Sequence, residues 1–188
     1  MALKSTIYKA ELQVNDMDRH RYGNHNLTLA RHPSETDERM MVRLLAFALH
    51  ADESLAFGKG LSTDDEPDLW RKDLTGAIEL WIDVGLPDSK LVRRACGRAA
   101  HVVLYSYGKT AEVWWKSNRD DFARFDHLAV YRLSPATTAA LATLAQRSMS
   151  LQCSTEDGAT VVSSNEGSVE IEIIALKSAI LPLRSAHR

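Results

Sequence analysis

The stretch AIELWIDVGLPDSKLVRRACGRAAHVVLYSYG, residues 77–108, decides the fold. Its opening segment alternates, with Ile78, Leu80, Ile82 and Val84 on one face of an expected strand and Glu79, Trp81 and Asp83 on the other. Leu91, Val92, Ala95, Cys96 and Ala99 then recur at helical spacing, and HVVLYSYG, 101–108, returns to a strand pattern. Strand, helix and strand in that order imply two parallel strands joined by a right-handed crossover. Parallel strands are usually covered on both faces, so the carboxylates of Glu79 and Asp83 need a reason other than solvation.

Toward the C-terminus, KTAEVWWKSNRDDFARF (109–125) reads as a helix and HLAVYRL (127–133) as a strand. SPATTAALATLAQR (134–147) reads as a helix opened by Ser134 with Pro135 at its first position. Beyond it, short alternating strands are separated by Asp157-Gly158 and Glu166-Gly167, the punctuation of hairpin turns. Toward the N-terminus, TDDEPD (63–68) is a loop in which Pro67 turns Glu66 away from helical angles, and SLAFGKGL (54–61) is a short strand. In HPSETDERMMVRLLAFALHADE (32–53), Ser34 and Asp37 form a capping-box pattern, and Met41, Leu44, Leu45, Ala48 and Leu49 repeat helically. TIYKAELQVND (6–16) alternates Tyr8, Ala10, Leu12 and Val14 against Ile7, Lys9, Glu11 and Gln13, and with HNLTLARH (25–32) it suggests a long hairpin. The expected architecture is an α/β mixed sheet flanked by helices, with extra antiparallel hairpin strands at both ends. It forms a single domain over 1–180, followed by a flexible tail at 181–188.

Composition narrows the function. With 188 residues, 45% hydrophobic and 26% charged, the chain has the balance of an ordinary globular protein. A net charge of −2 gives no global attraction to phosphate, so a nucleic-acid partner would need a local patch. Lys90, Arg93, Arg94 and Arg98, opposite the apolar side of their expected helix, are the candidate. No apolar run is long enough for a membrane helix and the N-terminus lacks a signal-peptide core, so the expected location is the cytoplasm. Cys96 and Cys153 make no CxxC pair, and the seven histidines show no paired ligand spacing.

Carboxylates brought into a poorly hydrated site repel one another, and a shared cation is a common remedy. Oxygen ligands favour Mg²⁺ or Mn²⁺, which serve phosphate chemistry by activating water and screening the phosphate. Asp68 directly follows Pro67, Glu79 lies on the next clear strand and Asp83 shares its face, so these acids are the candidate metal ligands. Glu38 extends the apolar stripe of its helix and points at the sheet. The lysine such a site needs is missing two residues after Glu79, where Trp81 stands; Lys72 and Lys90 are the substitutes.

The segments MALKSTIYKAEL, LTLARHPSETDERMMVRLLAFALHADE, GLSTDDEPDLW, GAIELWIDVGLPD and MSLQC, spread over nearly the whole chain, closely resemble the bacterial YaeQ family. That family is similar in fold to the PD-(D/E)xK restriction-endonuclease-like superfamily. Carried over by position, the resemblance implies Glu38 as the first-helix acid and Asp68 and Glu79 as the strand carboxylates, with Trp81 where the lysine falls. Three functions compete on this basis. One is a Mg²⁺- or Mn²⁺-dependent phosphodiesterase acting on nucleic acid through Asp68, Glu79, Glu38 and Lys90. The second is a non-catalytic binding or regulatory module on a degenerate nuclease fold. In the third the acids form a structural cluster with partners such as Arg39 or Arg71.

Overall fold

The computed structural model describes residues 4–59 and 65–180. The crossover expected from residues 77–108 is present: β5 (Ile78–Val84) runs through α2 (Ser89–Arg98) into the parallel β6 (Ala99–Ser106). A second crossover, α3 (Ala111–Phe122), leads to β7 (Leu128–Leu133), parallel to β6. Antiparallel additions complete this six-stranded sheet. β4 (Leu69–Lys72) and β3 (Leu55–Phe57) lie beyond β5, and β11 (Ile173–Lys177) lies beyond β7.

The hairpin strands expected at the two ends of the sequence do not extend this sheet. They make a second one. β1 (Thr6–Asp16) pairs antiparallel with β2 (Arg21–Arg31) and parallel with β8 (Ser148–Glu156), and β8 continues into β9 (Ala159–Ser164) and β10 (Gly167–Ile171). The order is β10-β9-β8-β1-β2. A clasp joins the hairpin tips: the Asp18 carboxylate accepts the N–H groups of Asp157 and Gly158, each at 2.8 Å. Positive φ at Asp157 (50°) and Gly158 (77°) turns both donors the same way.

Between the sheets lie α1 (Asp37–Leu49) and α4 (Pro135–Thr143). Every residue of α1 from Met40 to Ala48 is buried, so over that run the helix has no solvent face. It packs against the inner residues Tyr8, Ala10, Leu12 and Val14 of one sheet and Leu80, Ile82 and Val84 of the other. A separate cluster, built from Trp81, Val102, Leu104 and Val130 with Val92, Ala95 and Phe122, seals the far face of the six-stranded sheet under α2 and α3.

Several local expectations shift. The helix α1 is capped by Thr36, whose Oγ1 accepts the Arg39 N–H at 3.1 Å, while Ser34 turns back to His32 Nδ1 at 2.6 Å. Ala99 opens β6 rather than closing α2. β2 begins at Arg21, inside the expected turn, and LWRK forms the strand β4 that alternation alone did not reveal. Ser134 and Pro135 open α4 as expected, with Ser134 Oγ accepting the Thr137 N–H at 3.2 Å. The tail at 181–188 and part of the 54–68 segment lie outside the described residues. Among the described residues no helix is long and apolar enough to cross a membrane.

Candidate functional site

Ligand sites in sheets of this kind form at the carboxyl ends of the parallel strands. At that end of β5, the pairing of Leu69 with Ile82 sets Asp68 level with Asp83 on the neighbouring strand. Asp68 is buried at 5% exposure, and its oxygens are claimed from two sides. Arg39 Nη2 on α1 donates to Oδ1 at 2.7 Å, and the Val84 N–H donates to Oδ2 at 2.8 Å. The backbone N–H of Asp68 in turn donates to Asp83 Oδ1 at 3.2 Å, and Trp81 Nε1 donates to Asp83 Oδ2 at 2.8 Å.

From Asp68 a chain of charge runs inward. Glu35, 4% exposed, accepts Arg39 Nη1 at 3.0 Å and binds Arg43 through Nε at 2.7 Å and Nη2 at 2.8 Å. Arg43 is 2% exposed and also donates to the Ala30 carbonyl of β2 at 3.2 Å, which ties the network to the second sheet. A forked guanidinium between the two oxygens of one carboxylate is among the strongest charged contacts a protein makes.

Burial, followed by the charge of Asp68, pushes the Asp83 carboxyl from 3.8 up to about 6. Burial works against the Arg39 cation, but Asp68 and Glu35 outweigh it and hold its pKa above the ordinary value. Tyr107, just beyond β6, is pushed up to about 12 by burial and so stays a phenol near neutral pH. The charge of Arg39 acts against that shift, and the charges of Glu38, Asp68 and Glu35 add to it.

The remaining expected site residues stand elsewhere. Glu79 lies four residues from Asp83 along β5, about 13 Å at roughly 3.3 Å per residue. It sits where the β4–β5 register slips, and there it accepts Arg71 Nε at 3.0 Å. Glu38 is half-buried, and the fully buried carboxylate of its segment is Glu35. Lys90 is exposed in the first turn of α2. Lys72 lies 3.5 Å over the Trp70 ring, away from Asp68. Trp81 is 3% exposed, edge-on to Trp70 at 6.4 Å and beneath the Arg98 guanidinium at 5.2 Å.

Of the expected ligands, Asp68 and Asp83 come together and Glu79 does not. The oxygens of that pair already receive four donors, one of them a cation. Among the described residues no group of three or more His, Cys, Asp or Glu is arranged to hold a metal. Glu35 and Arg43 escaped the sequence reading, although Arg39 and Arg43 stand four apart on one face of the expected helix and Glu35 lies four residues before Arg39. An arginine inside the run MMVRLLAFAL was the signal that a buried carboxylate had to be near.

Fold and site together define a mixed α/β protein, with two sheets and four helices among the described residues and an acid–arginine network at the carboxyl ends of its parallel strands. The family model described as YaeQ protein matches residues 1–173. The chain is 46% identical to "Uncharacterized protein YaeQ" of Salmonella typhi, over 93% of this chain and 97% of that one. It is 44% identical to the Escherichia coli (strain K12) protein of the same name, with the same coverage. Among solved structures, the YaeQ protein from Xanthomonas axonopodis pv. citri superposes with a TM-score of 0.90 at 50% identity, covering 93% of this chain and 99% of that one. The one from Pseudomonas syringae gives 0.89 at 36% identity, covering 93% and 97%. This chain belongs to the YaeQ family.

Proposed function

We propose that the chain is a binding or regulatory module on a PD-(D/E)xK-like scaffold whose metal position has been taken over by an arginine. The observation that carries this reading is the 2.7 Å contact of Arg39 with Asp68, a fixed cation on the carboxylate that the resemblance would give to a metal. Two further features support it. Trp81 replaces the lysine and spends its N–H on Asp83, and Glu79 is committed to Arg71. Calorimetric titration of Mg²⁺ and Mn²⁺ into the wild type and the Asp68→Asn, Glu79→Gln double variant tests this. Saturable binding is expected in neither protein, along with no divalent-dependent cleavage of DNA or RNA. Binding in the wild type alone, with turnover abolished by Asp68→Asn, would overturn the reading.

A metal-dependent phosphodiesterase acting on nucleic acid is the second reading. It is favoured by the convergence of Asp68 and Asp83 and by the burial that pushes the Asp83 carboxyl up to about 6. It requires Arg39 to leave Asp68, so Arg39→Ala discriminates: a gain of Mn²⁺ affinity and of cleavage would favour the enzyme. On either reading a nucleic acid would meet α2 through Lys90 and Arg93, since Arg94 and Arg98 already engage Asp65.

A further inference from the structure

β2 is the edge of its sheet, with β1 on one side and, among the described residues, no strand on the other. Which of its backbone groups face that open edge follows from β1. The N–H groups of Lys9 and Met17 donate toward β8, to Arg147 O and Thr155 O, each at 2.9 Å. The odd residues of β1 therefore serve β8, and the even residues serve β2. Tyr8, Ala10, Leu12 and Val14 stand opposite Leu29, Leu27, His25 and Gly23, so these residues of β2 spend their N–H and C=O groups on β1. Tyr22, Asn24, Asn26, Thr28 and Ala30 turn theirs outward. The Ala30 carbonyl goes to Arg43 rather than to β1, which agrees with this parity and leaves Tyr22, Asn24, Asn26 and Thr28 as the open edge.

Natural sheets blunt such an edge with charge, proline or a bulge, because a row of unspent donors and acceptors templates another strand. None of the three is present here: the register runs unbroken from Arg21 to Arg31, and Tyr22 to Ala30 contains no proline, Lys, Arg, Asp or Glu. All five outward-turned residues are solvent-exposed.

We propose that β2 pairs antiparallel with the β2 strand of a second copy of this chain, about a two-fold axis through Asn26. The contact is isologous and joins two five-stranded sheets into one. A second copy suits this edge because its sequence complements itself. On the outer face Asn26 meets its own counterpart, Asn24 meets the partner's Thr28, and the Tyr22 ring lies over the partner's Ala30. On the inner face the half-buried His25 meets the partner's half-buried Leu27. No charge opposes a like charge until the ends, where Arg21 meets the partner's Arg31; that Arg31 is offset by Asp37 at 2.8 Å.

Sedimentation velocity over a range of concentrations tests the pairing with the full chain. A wild-type dimer is expected. Asn26→Pro, which removes an edge donor without touching the β1 ladder, and Asn26→Lys, which sets like charges together on the axis, should both give monomers with unchanged circular dichroism. If the proline variant fails to fold, the lysine variant carries the test. Asn26→Cys should form an intermolecular disulfide on mild oxidation, since directly opposed residues fall within disulfide reach; the native cysteines are buried. A wild type monomeric at every concentration overturns the proposal, even if the edge then takes up an extended peptide. A dimer that survives Asn26→Lys and leaves Asn26→Cys uncrosslinked also overturns it.

Discussion

Two buried charged side chains decide what this molecule can tolerate. Arg43 answers Glu35 in a nearly water-free core, so replacing it by Met leaves a buried carboxylate without its principal donor. Breaking such a pair costs about 3–5 kcal/mol, far more than the pair itself contributes over an apolar substitute. Arg43→Met should therefore lower the urea midpoint severely, and the Glu35→Met, Arg43→Met double variant should recover much of the loss. Additive losses in that double-mutant cycle would mean that the two groups do not depend on each other. Asp83 acts with the opposite sign. Its pKa near 6 lies above the ordinary 3.8, so between those pH values the folded chain keeps a proton that the unfolded chain has lost. Stability from this group is present below about pH 4 and falls as pH rises toward 6. Asp83→Asn should remove that dependence, gaining on the wild type by about 2 kcal/mol between pH 4 and 7. Urea unfolding of both proteins across that range checks it, and parallel pH profiles would refute the assignment.

At the scale of elements, the geometry of the Asp68 segment depends on a close approach that sequence alone hides. Gly58, just after β3, donates its N–H to the Asp68 carbonyl at 2.9 Å, and a Cβ there would meet the Pro67 carbonyl oxygen at 2.0 Å. Backbone cannot yield as a side-chain tip does, so Gly58→Ala must push β3 away from β4 and shift Asp68. A loss of about 2 kcal/mol is expected, read as a fall in Tm; an unchanged Tm would show that the approach is looser than described. Elements with strong periodicity were legible: the β5–α2–β6 crossover, α1, α4 with its Ser134 cap, and the Asp157-Gly158 turn all stand where the pattern places them. β4 was not, because LWRK is too short to show alternation and its partner is fixed by tertiary contact. The surroundings of Glu79 were hidden for a related reason. The β4–β5 register sets Asp83, four residues further along β5, level with Asp68, and at the slip near Lys72 Glu79 meets Arg71.

At the scale of the whole molecule, the parallel pairing of β1 with β8 was the illegible step. Nothing local in TIYKAELQVND or MSLQC says that these segments, more than a hundred residues apart, share a sheet. The pairing is decided by α1, whose all-round apolar surface demands cover on both sides and draws the terminal strands over it. That sharing has a consequence for unfolding. A single cluster contains inner residues of both sheets together with α1, so each sheet loses the cover of its inner face if the other leaves. All four tryptophans, Trp70, Trp81, Trp114 and Trp115, lie on the six-stranded sheet or the helix packed on its far face. Tryptophan fluorescence therefore reports one sheet, while far-ultraviolet circular dichroism reports both. The two probes should give coincident urea transitions, as expected for one cooperative unit. A dichroism transition that begins before the fluorescence change would instead show the β10-β9-β8-β1-β2 sheet unfolding on its own, with α1 then belonging energetically to the sheet that carries Asp68.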